Sequence, residues 1–218
     1  MEHIKNIEKI AEENSSLAKI EKDSAREMKV LAKKSVKRAK AREMLAKNEM
    51  DVAKIRDRLA EKSKKLIERK EKVKDLLKIG DDLLKAEKSQ ATYNQEVAGI
   101  QIKVAEIQKK IANVETEIIE VRIKILNKKL DEAKERGNLA KKLKVYIKLL
   151  NANASAEKIS KAKEAYLKIQ RDLTKLEIEA MELNKNIIGK QNKLADLKRD
   201  LSEKLAEREK IRPFQLKS

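Results

Sequence analysis

Residues 97–125 read VAGIQIKVAEIQKKIANVETEIIEVRIKI. Within them Val97, Ile100, Val104, Ile107, Ile111, Val114, Ile118, Val121 and Ile125 recur at alternating steps of three and four. A helix turns once in about 3.6 residues, so this spacing draws one apolar stripe along one helical face. A half-buried strand would instead alternate every second residue. Every member of the stripe is β-branched. In parallel coiled coils of identical chains that choice favours three or more strands, a rule that an antiparallel hairpin within one chain escapes. The stretch predicts a helix over about 93–150. Its stripe loosens beyond Leu130 into Ala133, Ala140, Leu143, Ile147 and Leu150, with Gly137 as an expected irregularity.

Downstream, Asn151-Ala-Asn-Ala-Ser155 is a run of capping and turn residues, and Glu157 follows where a negative charge suits a helix N-terminus. A third helix is expected over about 156–212. It carries Ile159, Ala162, Tyr166, Ile169, Leu173, Leu176, Ala180, Leu183, Ile187, Leu194, Leu197 and Leu201, with Lys190 as the intruder, and it ends at Pro213 before a short tail, 213–218. Helices of nearly equal length, about 87 Å each at 1.5 Å per residue, joined by five turn residues, predict an antiparallel hairpin. Pairing outward from the turn sets Ile159 near Ile147 and Leu194 near Ile111.

Upstream, an alanine recurs every seventh residue: Ala11, Ala18, Ala25, Ala32, Ala39, Ala46, Ala53 and Ala60, bracketed by Ile4 and Ile67. A seven-residue repeat keeps one stripe against a partner helix, and alanine there lets the partner backbone come close. The residue before each alanine is usually large (Ile10, Leu17, Leu31, Leu45, Val52, Leu59, Leu66), and the position three after it is usually polar. One long helix over about 1–88 follows. Gly80-Asp81-Asp82, and Thr92 with Gln95 at capping-box spacing, place a bend or turn between 80 and 93. At up to about 130 Å this helix exceeds the hairpin. Its surplus makes the eight alanines an expected assembly seam. The chain as a whole is expected to be an all-α coiled coil.

Composition narrows the function classes. The 218 residues hold 55 Lys and Arg against 37 Asp and Glu, a net charge of +18, with four Gly, one Pro, no Cys and one His. So few Gly and Pro cannot punctuate a sandwich or a doubly wound sheet. No Cys and a lone His3 leave no thiolate or histidine metal centre and no serine–histidine triad, so neither metal nor other cofactor is expected. No Gly-rich loop cradles a phosphate, and the acids are interleaved with lysines as surface pairs are. The chain therefore reads as non-catalytic, with no small-molecule substrate. The opening MEHIKNIEKIAEEN lacks the apolar core of a signal peptide, and no run approaches a bilayer span, so an intracellular location is expected.

Two runs concentrate the positive charge. Lys29, Lys33, Lys34, Lys37, Arg38, Lys40 and Arg42 lie in residues 29–42, and Arg136, Lys141, Lys142, Lys144 and Lys148 in 136–156, neither with an acid. A single such run is ordinarily a solvated face. Across a self-associating chain of +18 the summed repulsion calls for a polyanion. Nucleic acid would be gripped through its phosphates without base reading, since the chain holds no recognition motif or aromatic platform. An anionic membrane surface is the alternative partner. Three extended basic helices resemble in shape the membrane-bending BAR domains, and a long hairpin of this size resembles the phage-shock and ESCRT-III filament proteins, although no motif of either family is present. The expectation is an elongated, self-assembling scaffold, such as a filament or a particle or virion component, that contacts a polyanion, with membrane remodelling as the alternative.

Overall fold

The computed structural model describes residues 2–73 and 80–211, with side chains from Ile4 onward. Three helices account for nearly all of them: α1 (Glu2–Lys72), α2 (Asp81–Asn151) and α3 (Ala156–Lys210). There is no strand among the described residues, and the chain is all-α.

The second helix begins at Asp81, not at about 93. The Gly80 carbonyl accepts the amides of Leu83 and Leu84 at 3.1 and 3.3 Å, and Asp81 and Asp82 occupy the first turn, where their charge opposes the positive helix end. The capping signal at Thr92 is not used. The Thr92 hydroxyl donates to the Lys88 carbonyl 3.0 Å away, inside the helix. Burial explains this: Leu84 and Ala91 pack with Ile67 of α1, and carrying α2 through residues 81–92 is what covers that end of α1. The expected surplus of α1 is thereby taken up by α2. Gly137 likewise sits in unbroken helix. The expected helical stretch 74–79 and the tail from Pro213 lie outside the described residues.

The turn after α2 falls where the sequence puts it. Asn153 adopts a left-handed φ of 46°. The Ala154 amide donates to the Leu149 carbonyl and the Asn153 amide to that of Leu150, at 3.0 and 3.2 Å. These two bonds make a Schellman end, which needs a residue tolerant of positive φ, and Asn is the commonest choice after Gly. The Ser155 carbonyl then accepts the Ile159 amide and starts α3.

The chain forms two compact units: residues 1–37 with 117–191, and residues 38–116 with 192–218. In the first unit α1 runs antiparallel to α2, and α2 antiparallel to α3. Ile7 and Ala11 of α1, Leu139, Leu143, Tyr146 and Ile147 of α2, and Leu173 of α3 form one buried cluster, with Ile159 among the half-buried residues packed against it. The Tyr146 and Tyr166 rings meet at 5.3 Å, tilted by 56°, a favourable offset for aromatic pairs.

The second unit shows the alanine seam most plainly. Ion pairs and hydrogen bonds between α1 and α2 join Arg42 to Glu115 and Arg56 to Gln101, at 3.1 Å each, and the partners' numbers sum to 157 in both cases. At that register the alanines of α1 lie level with a second heptad of alanines on α2. Ala46, Ala53 and Ala60 come opposite Ala112, Ala105 and Ala98, and all six are 4% exposed or less. Facing alanines permit the short end of the 8–10 Å range of interaxial distances.

Candidate polyanion-binding surface

The basic runs occupy α1 and the last third of α2. Lys33, Lys34, Lys37, Arg38 and Lys40 are exposed, Lys29 is half-buried, and none of the six forms an ion pair with a described residue. Arg42 is spent on Glu115. In the 136–148 run, Lys141, Lys142, Lys144 and Lys148 are exposed and unpaired among the described residues. Arg136 is not available to a ligand. Its side chain is 22% exposed and meets Glu132 at 2.6 Å and Glu21 and Glu177 at 3.4 Å each, one carboxylate from each helix of the first unit. Burial pulls the Arg136 guanidinium below its ordinary pKa, but the three carboxylates outweigh it and the net direction is upward. Glu21 is held above the usual carboxylate range, chiefly by burial, and Glu132 adds to this while Arg136 opposes it.

Within the first unit the second run faces α1 residues other than those of the first run. In the first unit Arg136 is level with Glu21, and the groove beside Lys144 and Lys148 is lined by Glu8 and Glu12 of α1. Acids from another helix therefore dilute the second run, which sequence distance conceals. The first run gains company instead. Arg122 and Lys129 of α2 border the same groove as Met28, Leu31 and Ala32.

One set of cations escapes a reading that looks only for dense runs. Lys19, Arg26, Lys33, Lys40, Lys47 and Lys54 each follow a position of the alanine heptad by one residue. All six are exposed and none pairs with a described carboxylate. Because burial holds the alanines to the heptad, the next position is held to one side of α1. Lys19, Arg26 and Lys33 repeat on the first unit, and Lys40, Lys47 and Lys54 on the second, each about 10.5 Å from the next along the helix. The signal was present in the alanine repeat itself, one residue on.

The eight heptad alanines of α1 are placed inside the chain. Ala11, Ala25, Ala39, Ala46, Ala53 and Ala60 are buried, and Ala18 and Ala32 are half-buried. Ala18 lies beside Gly137 of α2, where a Cβ on the glycine would stand 4.0 Å from the alanine's own. On the hairpin side, Ile100, Val114, Ile118, Val121, Ile125, Leu173 and Ile187 are buried. Val97, Val104, Ile107, Ile111, Ile159, Ile169, Leu176, Leu183, Leu194, Leu197 and Leu201 are half-buried.

Among the described residues an apolar groove is open in each unit. That of the first unit, about 460 Å³, is lined by Met28 and Leu31 of α1, Ile119, Ile125 and Leu126 of α2, and Ile187 of α3. That of the second, about 300 Å³, is lined by Leu45 and Ala46, Ile111 and Ala112, and Leu201. Among the described residues no group of three or more metal-ligating side chains is placed to hold an ion, and no helix is long and apolar enough to cross a membrane. No protein-family model matches the chain, and no curated protein sequence matches it either.

Proposed function

We propose that this chain is a non-catalytic, self-assembling helical scaffold, working inside the cell, that binds a polyanion, and that the polyanion is nucleic acid. The heptad row of unpaired cations on α1, with the acid-free stretch 33–40 at its centre, carries this reading. From Lys33 to Lys40 the cations have no carboxylate among them and hold their full charge for an outside partner, while Asp23 and Asp51 interrupt the row on either side. Long Lys and Arg side chains that contact phosphates release condensed counterions, and affinity then falls steeply with salt. Such contacts position a duplex and read no sequence. Residues 29–42 contain no aromatic side chain on which a base could stack, which fits backbone binding.

The test is fluorescence anisotropy with short duplexes of unrelated sequence, titrated across a range of salt. Similar affinities for all sequences and a steep negative slope of log K against log salt are expected. Reversing Lys33, Lys37 and Lys40 to Glu should flatten that slope by about 2 to 3. An unchanged slope in that triple variant would remove the row from the binding surface. Binding to anionic vesicles, with indifference to duplex DNA, would replace nucleic acid by a membrane surface.

A further inference from the structure

Within the first unit the seam between α1 and α2 is not closed along its whole course. At the register of Glu21 on Arg136, whose numbers sum to 157, Ala25 comes level with Ala133 to within one residue, and both are 3% exposed. One heptad on, Ala32 comes level with Leu126, and Ala32 is half-buried. The larger facing side chain holds the helices further apart, and the groove of about 460 Å³ opens there. Its walls are apolar. Met28 stands at the heptad position where Asn14, Glu21 and Ser35 are polar, and Leu31, Ile125, Leu126 and Ile187 join it in the lining.

The polar groups of the groove gather at one height. The ion pairs of Lys128 with Glu179 and of Lys190 with Glu117 set α2 against α3 at numbers summing to 307. By these registers Ser35 is level with Arg122, and Asn184 is level with Ile123, so Ser35, Arg122 and Asn184 line the groove within about 1.5 Å of a common level. Arg122 is exposed and pairs with no described carboxylate. The Ser35 hydroxyl donates to the Leu31 carbonyl 3.1 Å away and can turn to a ligand instead. No Asp or Glu lines the groove. Its second cation, Lys129, lies within electrostatic reach of Glu21, which leaves Arg122 as the one to receive an anion.

We propose that this groove binds a fatty acid monomer, with the carboxylate at Arg122, Asn184 and Ser35 and the alkyl chain laid along Ile125, Leu126 and Met28. The site is independent of the polyanion surface. Charge and size select the occupant. An apolar cleft of a few hundred Å³ with a few convergent polar groups has the makeup of a small-molecule site. A guanidinium receives a carboxylate through two parallel hydrogen bonds, and the Asn184 amide can donate beside it. Spread over the about 15 Å from Ile119 to Lys129, the volume gives a mean section of about 30 Å², against about 80 Å² for a helix 10 Å across. One unbranched chain therefore fits between the walls, where a partner helix would ride above them. Lys129 at the far end can lay its methylene stem over that chain and keep its ammonium in water.

Isothermal titration with dodecanoate below its micelle concentration tests the site. Butyrate carries the charge without the chain, and dodecyltrimethylammonium the chain without the negative charge. Leu31→Asp and Arg122→Gln alter exposed groove positions, and Leu66→Asp, 55% exposed, makes a matching change on the second unit. Each variant lowers the net charge by one, and circular dichroism checks that each is folded. One dodecanoate per chain is expected, with both analogues much weaker. Affinity should fall about fivefold or more in Leu31→Asp and Arg122→Gln and hold in Leu66→Asp. Several dodecanoates per chain, or an equal fall in all three variants, would mean a soap on a basic surface and overturn the proposal. Absence of dodecanoate binding would also overturn it. Attachment to vesicles of anionic lipid would then give the groove to a membrane surface, and loss of self-association in Leu31→Asp would give it to a second copy of the chain. Duplex binding measured on the same variants judges the polyanion reading separately, since neither Leu31 nor Arg122 belongs to the row of cations.

Discussion

Enlarging a buried alanine ordinarily adds apolar surface, and the expected sign here is the reverse. Ala53 of α1 and Ala105 of α2 lie level in the second unit and are each 1% exposed. Ala53→Leu introduces three carbons into a seam closed by a facing alanine. Burying them in an empty space would contribute about 2.4 kcal/mol, at 0.8 per methylene. The seam has no such space, so the two helices must separate or the side chain must leave its preferred rotamer, at a cost of about 1–3 kcal/mol. We therefore expect a net loss of about 1–3 kcal/mol, or roughly 2–10 °C in Tm for a domain of this size. Urea and thermal unfolding followed at 222 nm measure it. Two companions locate the effect. Leu59→Ala, just before the next heptad alanine and 57% exposed, should move stability by less than about 0.5 kcal/mol. Ala105→Gly should cost about 1 kcal/mol alone yet less in the Ala53→Leu background, because it reopens the space opposite. An Ala53→Leu chain as stable as wild type, or one whose effect adds simply to that of Ala105→Gly, would refute close alanine packing between α1 and α2.

Further outcomes follow from the first unit. Glu21→Gln should raise stability at neutral pH by up to about 1 kcal/mol. Folding lifts the Glu21 pKa, mainly by burial, so the charged form weighs against the native state above the usual carboxylate range and this penalty vanishes as pH falls through it; wild type and variant should converge in acid. An advantage for the variant that persists in acid would contradict a charge effect. Tyr146→Ala removes a ring that is 8% exposed and packed at a tilt against Tyr166, and should cost about 3 kcal/mol in thermal unfolding, whereas loss of less than about 1 kcal/mol would place the cluster outside the cooperative core.

The helical class, the turn at Asn153 and the burial of the alanines are legible in the sequence because each follows from a local period or a local φ requirement. The partner of α1 is not. The Ile and Val stripe on α2 overlies a quieter heptad, Ala91, Ala98, Ala105 and Ala112, and the larger residues dominate any reading of apolar spacing. Both matter, since the stripe provides the Ile111 and Ile125 that share grooves with α3 while the alanines admit α1. The start of α2 is hidden for a similar reason. A Thr with a Gln three residues later offers an N-cap worth about 1 kcal/mol, less than the burial gained by extending the helix back over Ile67. For the candidate surface, the 29–42 run is visible by composition. Its companions Lys19, Arg26, Lys47 and Lys54 are too dispersed to register as a run, and the withdrawal of Arg136 into a carboxylate cluster depends on three helices meeting.

The register of α1 on α2 also imposes an order on biosynthesis. Partners whose numbers sum to about 157 mean that residues near Gly80 find each other as soon as they are made, while Ile7 must wait for Ile147. The α1 and α2 parts of the second unit can close by zipping away from the short connection between them, each step adding little to the loop already closed, while its α3 part, from residue 192 on, arrives last. The first unit is assembled from the earliest residues and some of the latest, so the opening turns of α1 leave the ribosome with their apolar stripe uncovered. Domains ordinarily fold in the order of their synthesis. Here the N-terminal segment is among the last to be secured, and a nascent chain stalled before residue 140 would hold Ile7 and Ala11 open to chaperones.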